Sequence, residues 1–172
     1  MIKLRTAGAT EWANIKLALG GVLHPVPAIA SPSHVVVAED EAAVIGVAAL
    51  EAAETVGFLR LHFVRPAYRS QGLGTRIVRQ AVQNGFEHGL TSVFVSAARL
   101  EAFYYHAGFG PDDFSFLPAC FCPKVASDRR HPSSVMSCRR AIGGRKGDGA
   151  DSRSVLRADP FFVPRRDCDF EP

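Results

Sequence analysis

The chain has 172 residues, 47% of them hydrophobic, enough to bury one sizeable core with little left over for a second. Its 20 basic and 17 acidic residues leave a formal charge of +3, too small and too dispersed for a nucleic-acid footprint, though a small anionic ligand stays open. Apolar runs such as Ala42 to Leu50 are about half the ~20 residues a membrane helix needs, and the N-terminus lacks a signal-peptide core, so a cytoplasmic protein without a membrane partner is expected.

In chain order, Ile2 to Arg5 alternates as a short strand, and Trp12, Ile15 and Leu19 then repeat at helical spacing until Gly20 and Gly21 stop the helix. A Pro-rich loop from His24 to Pro32 precedes a β-branched strand at His34 to Ala38, a turn at Glu39 to Glu41, and a longer apolar strand from Ala43 to Glu51, which together read as a hairpin. Val56 to Val64 follows as a strand in which Leu59, Leu61 and Phe63 alternate with Arg60, His62 and Val64, giving one core face and one mixed face. After Pro66 and a glycine-containing loop, a helix is expected from about Leu73 to His88 with Ile77, Val78, Ala81 and Val82 inward, ended by Gly89. Thr91 to Ser96 reads as a strand, Arg99 to Ala107 as a short helix closed by Gly108, and Val135 to Arg139 as a final strand. The order is β-α-β-β-β-α-β-α-β, an α/β (α+β) domain over residues 1–140. From Ala141 onward glycines and balanced charge replace apolar periodicity, and residues 141–172 are expected to form a mobile tail in which Phe161-Phe162-Val163 could still dock.

The four cysteines, Cys120, Cys122, Cys138 and Cys168, come late, with one C-x-C spacing that is not a zinc pattern. Reduced thiols and no metal are expected.

The segment with the most chemical content runs from Leu61 to Thr75. A strand ends there, Pro66 breaks it, and Arg69-x-x-Gly72-x-Gly74 enters a helix. A helix start offers unpaired N–H groups and a partial positive charge, glycines let an anion approach the backbone, and Arg69 adds a full charge. A dinucleotide site would want G-x-G-x-x-G after the first strand with an acidic residue about 20 positions on, and a Walker loop would want Gly-Lys-Ser/Thr. Neither is present. By itself a G-x-G at a helix start can also be no more than a tight turn.

Read as Val64-x-Pro66-x-x-Arg69-x-x-Gly72-x-Gly74, this segment resembles motif A of the GNAT acetyltransferases, and Phe103-Tyr104-Tyr105-His106-Ala107-Gly108-Phe109 resembles the family's F-Y-x-x-x-G-F segment. The resemblance covers Met1 to about Arg140. It implies the GNAT fold, a mixed and mostly antiparallel central sheet flanked by helices, with acetyl-CoA as acetyl donor. It also implies that Arg69, Ser70, Gln71, Gly72, Leu73, Gly74 and Thr75 hold the pyrophosphate, that a backbone N–H at about Phe63 or Val64 serves the oxyanion, and that Tyr104 protonates the departing thiolate. A packing role for Tyr104 is the other reading.

For proton removal His62 and Glu51 are the candidates, the second through a water, although a strand histidine is commonly a packing residue and a glutamate at a strand end a solvated one. Arg60, two positions from His62 and so expected on its face, would grip a substrate carboxylate, with an ion pair to Glu51 or Glu54 as the alternative. Shorter matches (Val37 to Asp40, Gly46 to Glu51, Leu59-Arg60, Leu117-Pro118, Pro132 to Ser134) resemble the arsenic-operon N-acetyltransferases, which implies an amino acid or an amino-acid analogue as acceptor. Three positions depart from these patterns: His131 and Cys138 in that branch, and Ala97 where many GNAT members place a pantetheine-binding Asn. The expected activity is acetyl transfer to the primary amine of a small molecule by direct attack in a ternary complex. A protein or peptide N-acetyltransferase and a non-catalytic acyl-CoA-binding module are the alternatives, and a homodimer is left open.

Overall fold

The computed structural model describes residues 1–20, 32–97, 100–112, 117–118, 120–121 and 135–140. The strands are β1 (Lys3–Ala7), β2 (His34–Asp40), β3 (Ala43–Ala53), β4 (Val56–Val64), β5 (Ser92–Ser96), β6 (Gly110–Asp112) and β7 (Val135–Arg139), and the helices α1 (Trp12–Gly20), α2 (Leu73–Glu87) and α3 (Glu101–Ala107). They form one sheet in the order β1-β2-β3-β4-β5-β7-β6. The β4–β5 pair is parallel, with α2 in its crossover, and the other five pairs are antiparallel. The expected order holds with one addition, β6, three residues opposite β7.

Period-2 alternation sorts the apolar side chains into layers on the two faces. Val36, Ala38, Ala48 and Leu50 meet Ile77, Val78, Ala81 and Val82 of α2, whereas Val35, Val37, Val47 and Ala49 meet Trp12, Ile15 and Leu19 of α1. Because both faces are covered, β2 is buried from Val35 to Ala38. A third cluster joins Phe58 and Phe94 to Leu117, Phe121 and Val135, with Phe58 and Phe121 stacked at 5.5 Å. Asn84 of α2, itself buried, donates to Thr6 Oγ1 at 2.8 Å and so ties the helix to the first strand.

The even alternation expected along β4 does not hold. Ala49 pairs with Leu61 and Leu50 with Leu59, which leaves Arg60 as an extra residue, a β-bulge. A single inserted residue exchanges the faces of everything beyond it. Leu59 therefore lies on the α2 side, while Leu61 and Phe63 lie on the α1 side.

Among the described residues Cys120 and Cys138 are free thiols, no group of three or more His, Cys, Asp or Glu side chains could hold a metal, and no helix is long and apolar enough to cross a membrane. Cys122, Cys168, His131, Arg99, the Pro-rich loop up to residue 31, Pro132 to Ser134 and the expected tail at 141–172 lie outside the described residues.

Candidate functional site

The site begins where two strands part. The parallel pairing of β4 with β5 runs from Val56–Ser92 to Leu59–Val95 and goes no further, so Leu61 to Val64 keep β3 on one edge and lose β5 on the other. Which backbone groups the open edge presents follows from the register. Arg65 N–H donates to Ile45 C=O at 2.8 Å, and in an antiparallel ladder the residues facing the partner alternate. Leu61 and Phe63 thus direct their N–H groups to β3, and His62 and Val64 direct theirs into the gap. Of the two backbone donors expected, Phe63 and Val64, the register leaves Val64 available and adds His62.

Beyond the gap lies the loop. Arg65 Nε donates to Val44 C=O at 2.9 Å and Tyr68 Oη to Asp40 at 3.3 Å, which fixes the loop to the β2–β3 hairpin. Arg69 Nε donates to Val64 C=O at 2.9 Å with its guanidinium over Phe63, while its terminal nitrogens have no hydrogen-bond or carboxylate partner among the described residues. Gly72 has φ +72° and is the N-cap of α2, with no side chain capping the helix. The first helical bond, Arg76 N–H to Gly72 C=O, comes after Leu73, Gly74 and Thr75, whose N–H groups are the open donors of a helix start.

The two glycines differ in role. At Gly72 a Cβ would meet nothing within 4 Å, so what matters there is the left-handed backbone. A Cβ at Gly74 would lie 3.0 Å from His62 Nε2 and 3.3 Å from Phe103, so this glycine makes room for two rings. Ser70 also has a positive φ, +61°, which is uncommon without glycine.

Gap and loop enclose a cavity of about 550 Å³ lined by His62, Phe63 and Val64 of β4, by Arg69, Ser70, Gly72, Gly74 and Thr75 of the loop and helix start, and by Leu100 and Phe103 of α3. Leu100 and Phe103 were not expected as site residues. Their i, i+3 spacing at the start of a helix was the signal that could have found them.

Of the other expected site residues, Gln71, Leu73 and Tyr104 are not among those that line this cavity. Gln71 bonds back to Ala67 C=O, and Leu73 is buried in the core as the anchor of the first helical turn. Tyr104 is 5% exposed, its ring held edge-on by Phe103 at 5.0 Å, Phe109 at 5.7 Å and His62 at 6.2 Å. Burial pushes its phenol up to about 12, so it keeps its proton at neutral pH and can act as a proton donor but not as a base. His62 stacks on Phe103 at 4.6 Å and 12°. Burial, with the nearby Arg69 charge, lowers its pKa to about 4.

Arg60 does not share His62's face, because the bulge separates them. It turns to the opposite side of β4, over the Phe58 ring, with Nε 3.4 Å from Glu51 Oε2, and both side chains are largely buried, at 18% and 13% exposure. Glu51 and Phe58 are cross-strand partners, which is why the two charged groups meet.

A sheet split beside a glycine loop and a helix start defines the class: the fold is that of the GNAT acetyltransferases. Residues 31–111 match the family described as "Acetyltransferase (GNAT) domain". Among solved structures, N-acetylglutamate synthase from Neisseria gonorrhoeae, complexed with coenzyme A and N-acetyl-glutamate, has a TM-score of 0.64 at 17% identity over 81% of this chain. The chain spans only 35% of that synthase. The ribosomal-protein-S18-alanine N-acetyltransferase from Escherichia coli has a TM-score of 0.61 at 15% identity, covering 87% of this chain and all of the other, at 100%. The PaiA N-acetyltransferase from Thermoplasma acidophilum, in complex with coenzyme A, has a TM-score of 0.53 at 12% identity over 81% of this chain and 99% of its own. At these identities the likeness is one of fold. A search of curated proteins gives no match.

Proposed function

We propose that the protein transfers an acetyl group from acetyl-CoA to the primary amine of a small molecule, an amino acid or an amino-acid analogue. The observation that carries this reading is the cavity itself, which joins an anion-binding helix start to an open strand edge. Such a site fits an elongated ligand with a diphosphate at one end and an amide-bearing arm at the other. The open N–H groups of Leu73, Gly74 and Thr75 and the free guanidinium nitrogens of Arg69 would take the diphosphate. The arm would lie along β4 as a substitute for the missing strand, meeting the backbone of Val64 and His62.

In the reaction the amine nitrogen attacks the thioester carbonyl, an N–C bond forms and the C–S bond breaks. The backbone N–H at His62 or Val64 stabilises the oxyanion, and the Tyr104 O–H gives its proton to the departing thiolate. Of the two expected bases Glu51, acting through a water, is retained on chemical grounds, although it pairs with Arg60 and does not line the cavity. The depressed pKa of His62 makes it a poor acceptor for an ammonium proton. Arg60 beside Glu51 supports an acceptor with a carboxylate or a similar oxyanion, which would share the guanidinium with Glu51. The fold likeness to the S18-alanine enzyme over that enzyme's whole length favours, as a second reading, a peptide N-terminus as acceptor.

The test is calorimetric titration with acetyl-CoA of the wild type, Arg69→Glu and Gly72→Asp. Reversing the charge at Arg69 should weaken binding roughly a hundredfold by losing a charge-assisted contact and adding repulsion. Gly72→Asp places a carboxylate in open space at the helix start and should act in the same direction. Binding by a wild type that the folded variants match would remove the loop from the site. An amine screen with amino acids, arsenical amino-acid analogues and N-terminal peptides then separates the acceptor classes, the arsenical arm testing the narrower branch.

A further inference from the structure

We propose that His62 is a fixed hydrogen-bond donor, its Nδ1–H directed at a carbonyl oxygen of the acyl-CoA arm while Nε2 carries no proton. The inference rests on the acyl-CoA reading of the cavity and assigns its strand wall a task that is not proton removal.

The two nitrogens of this ring stand in different surroundings. Nε2 is sealed from solvent and has no hydrogen-bond partner, and it packs against the position where Gly74 lacks a Cβ, 3.0 Å away. A proton on Nε2 would therefore be a buried N–H with no acceptor, which costs more than leaving a bare ring lone pair there. Of the two ring nitrogens only Nε2 is sealed in this way. The same ring lines the cavity, so Nδ1 is the atom left to face it. In a neutral imidazole one nitrogen donates and the other accepts, and the environment of Nε2 settles which. The charged ring, with both nitrogens protonated, is disfavoured by burial and by Arg69.

The chemistry of the lining says what the donor is for. Of the polar side chains around the cavity, Arg69, Ser70 and Thr75 come from the loop and helix start, and His62 alone comes from the strand wall. Ala97, just past the end of β5, is buried and has no side-chain donor. A neutral N–H at that wall complements a neutral acceptor rather than a phosphate. The arm between diphosphate and acetyl group carries only two kinds of carbonyl, amide and thioester. Stacking on Phe103 holds the imidazole plane in place before the ligand arrives, so little ordering is needed on binding.

Two measurements test this. In 15N-labelled wild-type protein, two-bond 1H–15N correlation of the imidazoles reads the tautomer directly, and the proton is expected on Nδ1. An Nε2–H tautomer overturns the proposal whatever the variants do. His62→Phe preserves the stack and removes the donor, and should raise the Kd roughly three- to tenfold, with His62→Gln recovering part of the loss. Equal affinity in a folded His62→Phe overturns the proposal as well. Titrating both CoA and acetyl-CoA identifies the acceptor: a loss for both ligands means an amide carbonyl, a loss for acetyl-CoA alone the thioester. A wild type that binds neither ligand fails the acyl-CoA reading, and a wild type that binds both while His62→Phe binds equally fails only the inference.

Discussion

The two halves of β4 are one continuous strand with opposite fates. From Val56 to Leu59 it is hydrogen-bonded to β3 on one edge and β5 on the other, and Phe58 is covered by Phe121. From Leu61 to Val64 the β3 edge continues and the β5 edge is open onto a cavity. The bulge at Arg60 lies at the junction. It turns His62 toward the helices that carry the glycine loop and Tyr104, and turns Arg60 toward Glu51. What separates the doubly paired half from the open half is thus one extra residue and a lost neighbour, together with two polar side chains, Arg60 at the junction and His62 in the open half.

The largest effect should come from erasing the difference. Deleting Arg60 would restore an unbroken ladder with Leu61 still opposite Ala49 and the faces of Leu61 to Val64 unchanged, and would remove the local twist of the bulge at the point where β4 parts from β5. Greatly weakened acetyl-CoA binding is expected on calorimetric titration, because a β4 without its bulge can follow β5 further and narrow the gap. A deletion variant that folds and still binds would show that the bulge does not make the site. A second experiment asks whether the chemistry belongs to the open half. Tyr104→Phe keeps the buried ring and removes the only proton the phenol could give, so kcat should fall about a hundredfold with little change in KM. An unchanged kcat would reduce Tyr104 to a packing residue.

The smallest effect concerns pH. Folding lowers the pKa of His62 from 6.5 to about 4. Between those values the unfolded chain binds a proton that the folded one does not, so stability rises with pH across that window. The contribution is complete above about pH 6.5 and is lost as pH falls toward 4, amounting to no more than about 3 kcal/mol. Melting curves at several pH values should show this slope in the wild type and a shallower one in His62→Phe. Identical slopes would mean that the ring is not buried as described.

How much of this could be read in advance differs from element to element. The helix at Leu73–Glu87 was legible because its apolar side chains repeat at helical spacing over fifteen residues, and the turn that opens it was legible because its left-handed backbone favours glycine at Gly72. Leu59 to Phe63 gave a misleading signal. Its clean alternation is that of an unbroken strand, whereas a bulge is a property of the pairing with β3 and leaves no mark on one strand alone. That is why Arg60 and His62 were expected on one face. β6, Gly110-Pro111-Asp112, is made of residues that read as a turn, and only its partner β7 makes it a strand. The packing role of Gly74 was hidden for the same reason, since the rings it accommodates come from residues 62 and 103.

The hydrogen bond from Asn84 to Thr6 has a bearing on how the protein is made. Its ends are 78 residues apart, so at roughly 5–20 residues per second a ribosome needs about 4–16 s between delivering one and the other. During that interval β1 to β4 can already pair as an antiparallel meander, yet the layer that α2 will cover, Val36, Ala48 and Leu50 among it, has nothing to pack against. The nascent chain therefore passes through a period with an apolar sheet face open to water, and α2 ends it before β5 is complete.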